Sequence, residues 1–553
     1  MTTPDYAAYF PFQTVRPEQR QAIDFALNAF LVQKKRFVIL EAGTGVGKSG
    51  IAIAIARYLA THGGHTFQLD DTTVPTTGAY VLTTQKILQA QYMDDFGPTS
   101  GKDMMRSLKS ASNYGCRYYT DMRCSDSRRL LKQLGTQVFG TDFHKCCSVT
   151  CPYKLDKDEF IKFPIGITNF SYFLAETMYA KQLQPRAFLV IDECHNVESE
   201  LGKFVEVSFS EKFARLLGCR NIPAENATSD AVFTWIKGPY KKAVQQVMAG
   251  LEKQMATQFG KNGATGLSET SKRYEMLDKH ICKVNRFITA HDPKNWVMNS
   301  VKGDAKGGRK FEFKPVDVSP YGYEYLYRFG SRVLLMSATI VDKDTFCESV
   351  GIDPNDAAFI HIPSPFQSEN RPIHYLGVGS MSKANIDQTL PKVAQVVKEL
   401  LELHKDEKGI IHCVNYKVAQ FIVATVKSPR LLLHDSDNRD QMIDVHINSP
   451  DPTVLISPSM TEGVDLADDS SRFQILCKVP FPYLGDKVIQ MRRQLHPTWY
   501  ACATARTVIQ AFGRSIRNEN DYAASYILDS DWQRFFRTNA SMFPPEFIAA
   551  LQG

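Results

Sequence analysis

Apolar residues fall in two rhythms along the chain. Short unbroken runs stop abruptly at polar or glycine-rich positions: Phe37 to Leu40, Ala79 to Leu82, Ile165 to Ile167, Ala187 to Ile191 and Val333 to Met336, with a further run opening at Val454. Runs of this length, bounded by turn residues, predict strands buried on both faces. Between them the apolar positions take helical spacing, from Gln19 to Phe30, from Ile51 to Leu59 and over much of Phe204 to Ala290. Polar breaks at Ala224 to Asp230 and Phe259 to Gly266 divide that last stretch, and His62 to Gly78 reads as a loop. Asn295 to Val297 and Phe311 to Val318 predict a strand pair joined by the Gly/Lys-rich loop Lys302 to Lys310. Strands alternating with helices predict an α/β fold with parallel sheets.

Chemistry enters at the strand ends. Phe37 to Leu40 runs into Glu41-Ala42-Gly43-Thr44-Gly45-Val46-Gly47-Lys48-Ser49 and then into a helix. Glycines let backbone N–H groups curl around an anion, and a helix N-terminus adds positive potential. Gly43, Thr44, Gly45, Val46 and Gly47 would form the cradle, Lys48 would reach the β/γ-phosphates, and the Ser49 hydroxyl would ligate Mg²⁺. The stretch predicts a nucleoside triphosphate site. Ala187 to Ile191 delivers Asp192-Glu193-Cys194-His195 to a strand's carboxyl end, where parallel sheets hold ligands. Asp192 is expected on Mg²⁺, Glu193 on the attacking water, and His195 as a link to neighbouring motifs. Far downstream stands Gln510-Ala511-Phe512-Gly513-Arg514-Ser515-Ile516-Arg517. The i to i+3 spacing places Arg514 and Arg517 on one helix face, where two planar forks can grip a γ-phosphate.

Composition then narrows the class. A chain of 553 residues can bury several cores, and its net charge of +6 permits a nucleic-acid partner without requiring one. No apolar run reaches membrane-span length and the first residues lack a signal-peptide pattern, so a cytosolic protein with no membrane partner is expected. Of the 12 cysteines, Cys116, Cys124, Cys146, Cys147 and Cys151 crowd one window. In a reducing compartment such crowding argues for metal over disulfides. A zinc ribbon would favour tight CxxC knuckles, and the irregular spacing here favours a [4Fe–4S] cluster. Adjacent cysteines seldom both ligate one centre, so Cys116, Cys124, Cys146 and Cys151 are the expected ligands, with Cys147 the alternate to Cys146. Arg117, Arg123, Arg128, Arg129, Lys132 and Lys145, interleaved with Tyr114, Tyr118 and Tyr119, suit phosphate contact and base stacking.

Taken in order, these motifs resemble the XPD/DinG family of iron–sulfur superfamily 2 DNA helicases, and most nearly its DinG-like members. The resemblance covers nearly the whole chain. It rests on the P-loop with Ala42 in its first position, the cysteine window from Asn113-Tyr114-Gly115-Cys116 to Cys151-Pro152-Tyr153, and Asp192 to Asn196. It continues through Ser337-Ala338-Thr339, Ser364-Pro365-Phe366, Gly409 to Tyr416, Thr461 to Asp465 and Gln510 to Arg517. It implies two RecA-like domains, with residues 1–103, 164–204 and 294–340 in the first and 341–553 in the second. A cluster domain (104–163) and a mainly helical arch (205–293) would be inserted in the first. ATP would sit between the domains, facing Lys48, Ser49, Asp192 and Glu193 on one side and Asp465, Gln510, Arg514 and Arg517 on the other. Gln19, in Arg16-Pro17-Glu18-Gln19, is the expected reader of the adenine edge. Thr83, Thr84 and Gln85, with Asn415 and Tyr416, are the expected nucleic-acid contacts.

The implied activity is that of an ATP-dependent 5′→3′ DNA helicase. It would act as a monomer on single-stranded DNA and duplex junctions, with RNA–DNA hybrids and R-loops as further substrates. An ATP-gated remodelling module without processive unwinding stays open beside it. An exonuclease is disfavoured, because no DEDD-type carboxylate set appears.

Overall fold

The computed structural model describes residues 5–62, 65–69, 72–84, 86–97, 104–180, 182–262, 267–301, 308–434, 438–458, 466, 468–513, 515–516 and 521–552. Gln85, Asp465, Arg514 and Arg517 lie outside the described residues.

The first domain is built on a sheet of seven parallel strands. Their spatial order is Ala357–Ile362, Phe37–Ala42, Gly330–Ser337, Arg186–Asp192, Ala79–Thr83, Ile165–Asn169 and Met105–Ser107. Each of the first five apolar runs of the sequence is one of these strands. Both faces are buried: Val38, Leu40, Val190 and Leu334 enter one apolar core, while their neighbours Phe37, Ile39, Leu189 and Leu335 enter another. A strand whose alternate residues enter two different cores has no polar face to show, which is why the runs are unbroken. The second domain repeats this RecA-like plan. Its seven parallel strands lie in the order Leu431–Leu433, Val454–Ser457, Gly409–His412, Phe473–Leu476, Ala524–Asp529, Ile373–Gly379 and Leu551–Gln552.

The structure moves two expected boundaries. Ala357–Ile362 pairs in parallel register with Phe37–Ala42, so the first sheet extends to Ile362 and does not end at 340. The apolar run of this strand opens on two alanines, which favour strands only weakly, and ends at His361. Met105–Ser107 pairs with Ile165–Ile167, so the cysteine segment begins beyond the strand and not at 104. The expected loop at His62 to Gly78 contains an antiparallel hairpin, His65–Leu69 with Thr72–Thr76. Threonine favours strands by its branching at Cβ although it reads as polar.

The insertion after residue 205 is helical as expected. Its two long helices, Lys241–Asn262 and Ser268–Ala290, lie against each other. Trp296–Val301 and Lys310–Pro315 form the expected antiparallel pair, and Val207–Ser210 adds a third strand. Among the described residues no helix is long and apolar enough to cross a membrane.

Candidate nucleotide site

Four neighbouring strands of the first sheet release their chains at one edge. In spatial order their carboxyl ends lead to Ser364, to the P-loop, to Ser337-Ala338-Thr339 and to Asp192. The P-loop turns tightly at Gly45 (φ 89°) and Gly47 (φ 84°), a region where side chains are strained. A Cβ on Gly45 would lie 2.3 Å from the Phe366 ring, and one on Gly47 would lie 2.6 Å from the Gln19 amide nitrogen. Lys48 and Ser49 open the helix Lys48–His62, and the Lys48 ammonium donates to the Ala42 carbonyl at 3.1 Å.

Facing the P-loop is a cleft of about 630 Å³ that runs between the two domains. Its walls include Gly43, Lys48, Ser49, Asp192, Glu193 and His195 from the first domain, and Gln510, Arg371 and Glu546 from the second. Asp192 is almost wholly buried. Burial first, and the neighbouring Glu193 charge second, push its carboxyl up to about 6, with Lys48 acting against them. Its Oδ1 accepts the Glu193 N–H at 3.0 Å, which helps to hold Glu193 in a left-handed conformation (φ 50°, ψ 49°).

A polar chain leads from Glu193 into the second domain. His195 Nδ1 lies 3.3 Å from Glu193 Oε2 and shares a 2.8 Å hydrogen bond with the Ser337 hydroxyl. Ser337 Oγ accepts the Thr339 N–H at 3.1 Å, and the Thr339 hydroxyl accepts the Gln510 amide at 3.0 Å.

Tyr92 belongs to this site and was not expected. Its hydroxyl donates to Asp192 Oδ2 at 2.9 Å and also bonds to Ser49, so the phenol stands between the two groups expected to hold Mg²⁺. In the sequence it is one aromatic within a helical stretch and reads as core. Its orienting hydroxyl resembles the outer-shell groups whose loss costs a metal site about 10–100-fold. Tyr92→Phe is therefore expected to weaken Mg²⁺ activation of ATP hydrolysis by about tenfold or more, with the melting temperature unchanged. A Mg²⁺ titration of the ATPase rate checks this.

Other expected residues stand elsewhere. Gln19, 3% exposed, donates its amide to the Val46 carbonyl at 3.0 Å, and its Oε1 accepts the Arg16 N–H at 3.1 Å. The Arg16 guanidinium reaches the same Val46 carbonyl at 2.8 Å. Gln19 thus braces the P-loop through the Val46 carbonyl. Thr83 is fully buried and Thr84 lines the nucleotide cleft. Asn415 caps the helix Tyr416–Val426 by accepting the Val418 N–H at 2.9 Å, and Tyr416 is exposed.

In the cysteine window the structure buries Cys147 more deeply than Cys146. Cys116, Cys124, Cys147 and Cys151 are buried, and the Cys147 thiol feels the charges of these three and of Cys146. Cys146 is half-buried, and the Thr150 hydroxyl lies on its sulfur at 3.5 Å. The reason is local. The turn Cys146–Thr150 is a π-helix, and it rolls Cys147 inward against Leu130, Val138 and Phe143. Burial, followed by neighbouring thiols, pushes Cys147 up to about 12. Cys124 is pushed up to about 11 by burial, with the Tyr153 N–H acting in the opposite direction. As placed, no group of three or more His, Cys, Asp or Glu among the described residues has a metal-holding arrangement. As a donor set, buried soft thiols gathered in one segment are of the type that suits an iron–sulfur cluster.

Comparison with known proteins agrees with this geometry. The family described as type III restriction enzyme, res subunit, matches residues 13–219, and the helicase C-terminal domain family matches residues 397–546. A regulator of telomere elongation helicase 1 homolog of Drosophila persimilis is 28% identical over 218 residues, covering 35% of this chain and 20% of the relative. The Drosophila melanogaster homolog is 29% identical over 170 residues, covering 27% of this chain and 17% of the relative. The chain thus spans about a fifth or less of the length of these curated relatives. Among solved structures, an XPD helicase aligns with a TM-score of 0.62 at 14% identity, covering 96% of this chain and 98% of that one. The Xpd4 structure of S. tokodaii aligns with a TM-score of 0.57 at 12% identity, covering 97% and 99%. At these identities the likeness is one of fold. The chain therefore carries a stretch that matches the helicase C-terminal domain family, and its fold is that of the XPD structures.

Proposed function

We propose that the chain is a DNA helicase that uses ATP to move 5′→3′ along single-stranded DNA and to open duplex junctions, with RNA–DNA hybrids and R-loops as further substrates. The observation that carries this reading is the polar chain from Glu193 through His195, Ser337 and Thr339 to Gln510, which ties the hydrolytic site to the second domain. In this reading Lys48 leaves the Ala42 carbonyl for the triphosphate, while Ser49 and Asp192 would hold Mg²⁺. When bound there, Mg²⁺ would supply neutralisation of the negative charge on the triphosphate. Glu193 orients a water and takes its proton. Asp465, Arg514 and Arg517 are proposed to complete the cleft from the second domain, and arginines in such a role are worth about 10³–10⁵ in rate. Closure and opening of the cleft would step the domains along the strand, with Asn415 and Tyr416 among its contacts.

Cys116, Cys124, Cys147 and Cys151 would hold a [4Fe–4S] cluster that pins a segment too small to fold around its own core. The Ser364-Pro365-Phe366 motif favours DinG-like members as the nearest kin, and a monomer in the reducing cell interior is the proposed working form.

Unwinding of tailed duplexes tests the reading. A 5′-tailed substrate should open with ATP, and a 3′-tailed one should not. ATP hydrolysis stimulated by DNA with no strand separation on either substrate would overturn it in favour of an ATP-gated remodelling module.

A further inference from the structure

The chain crosses from the first domain to the second beside the P-loop, and one carboxylate gathers the crossing. Glu41 is the penultimate residue of the strand that feeds the P-loop, and it is 6% exposed. Its Oε1 accepts the backbone N–H groups of Ile340 at 2.6 Å and Val341 at 3.0 Å. Val341 has φ 75°, a conformation in which a β-branched residue is strained, and its side chain packs on the apolar core of the second domain. The other oxygen of Glu41 takes His361 Nδ1 at 3.0 Å. His361 sits directly opposite Glu41 in the parallel register of the two strands. Its second nitrogen faces the second domain, with Nε2 3.4 Å from Oε2 of Glu546 on the helix Pro545–Ala550.

That last contact is only half made. At 3.4 Å it is an ion pair longer than a good hydrogen bond, and His361 Nε2 and Glu546 Oε2 are both buried without a hydrogen-bond partner. A small approach of the second domain would complete it. Since both ring nitrogens face carboxylates, the imidazolium is the form that serves both. Two further contacts tie the same crossing to the P-loop: the Ser364 hydroxyl donates to the Thr44 carbonyl at 2.9 Å, and the Phe366 ring covers Gly45.

We propose that His361 is a positioning residue that couples the P-loop to closure of the second domain, by sharing one imidazolium between Glu41 at the root of the P-loop and Glu546 across the cleft. The inference rests on the reading of this cleft as an ATP site. Its charge balance is set by Glu41 on the neighbouring strand and by Glu546 on the facing helix, with Arg371 across from Glu546. Glu41 first and Glu546 second push His361 up to about 10, against burial. Burial alone would raise Glu546, but His361 and Arg371 outweigh it and hold its carboxyl low. The sign follows from a raised histidine. Its contribution to the closed state is present while the ring stays protonated and is lost as pH rises through about 10.

The test uses the full chain with fluorophores introduced by non-natural amino acids at the exposed positions Val32 and Leu403, one on each domain. Interdomain energy transfer is followed against pH alongside steady-state ATP hydrolysis. In the wild type, closure should persist through neutral pH and relax as pH rises toward 10. Glu546→Gln should move that relaxation to lower pH and reduce kcat by at least about fivefold with the KM for ATP unchanged, in the range of ordinary coupling free energies. His361→Gln should remove the pH dependence, and the double variant should be no worse than His361→Gln alone. An unchanged closure profile in Glu546→Gln, additive effects in the double variant, or a raised KM at constant kcat would each overturn the proposal. A wild type that closes with this pH signature yet hydrolyses no ATP would overturn the reading of the cleft and leave the bridge standing.

Discussion

Glu193→Gln should slow ATP hydrolysis by about 10²–10⁴-fold while the chain still binds ATP, the range for removing a general base. The change keeps the volume and the polar contacts of the side chain and deletes only its basicity. Its surroundings make it the better base of the two acidic residues. Asp192 is buried and accepts hydrogen bonds from Tyr92 and the Glu193 backbone, whereas Glu193 is partly exposed and lines the cleft. Lys48→Ala should act at a different stage and cost nucleotide binding itself, because Lys48 is the only lysine among the described residues that line the cleft. Equilibrium binding of a fluorescent ATP analogue, read beside single-turnover hydrolysis, separates the two outcomes. A wild-type hydrolysis rate in Glu193→Gln would move the base elsewhere, with His195 at 3.3 Å the next group to test.

What the sequence disclosed about this site follows from where its constraints are local. The P-loop is legible because one short stretch must satisfy several demands at once: glycines at the two positive-φ positions, a cation, a hydroxyl and a helix start. Asp192 and Glu193 are legible because an apolar strand buried on both faces marks its own end. The rest depends on partners distant in the chain. Glu41 looks like an incidental acid before the P-loop until Val341 and His361 arrive some 300 positions later. Tyr92 gains its role from Ser49 and Asp192, neither of them near it in sequence. Gln19 stands in a legible motif, but the Val46 carbonyl that takes its amide is distant in the chain. The strand Ala357–Ile362 has an apolar run as long as Phe37 to Leu40, but it opens on two alanines, which favour strands only weakly, and ends at His361.

Spacing alone could not choose between Cys146 and Cys147, and the choice gives a second large effect. Anaerobically purified protein should carry about four irons per chain, as a [4Fe–4S] centre requires. Cys147→Ser should lose that iron and end unwinding, while Cys146→Ser should keep both. The π-helical turn Cys146–Thr150 buries Cys147, whose thiol feels those of Cys116, Cys146, Cys151 and Cys124, and leaves Cys146 half-buried with the Thr150 hydroxyl on its sulfur. The damage should stay local, because the segment is anchored to the first domain independently of its sulfurs. Lys157 pairs with Glu176 at 2.5 Å, and the Tyr153 hydroxyl shares a 2.6 Å hydrogen bond with Tyr172, all four buried. Nucleotide binding by Cys147→Ser should therefore match the wild type even as duplex opening fails. Thiols held as high as Cys124 and Cys147 must release protons to become ligands, so loading of iron into the metal-free chain should improve as pH rises. Iron analysis and strand-separation assays on the two serine variants decide the matter. Loss of iron from Cys146→Ser with retention in Cys147→Ser would reverse the assignment, and about one zinc per chain in place of iron would replace the cluster with a four-sulfur zinc site.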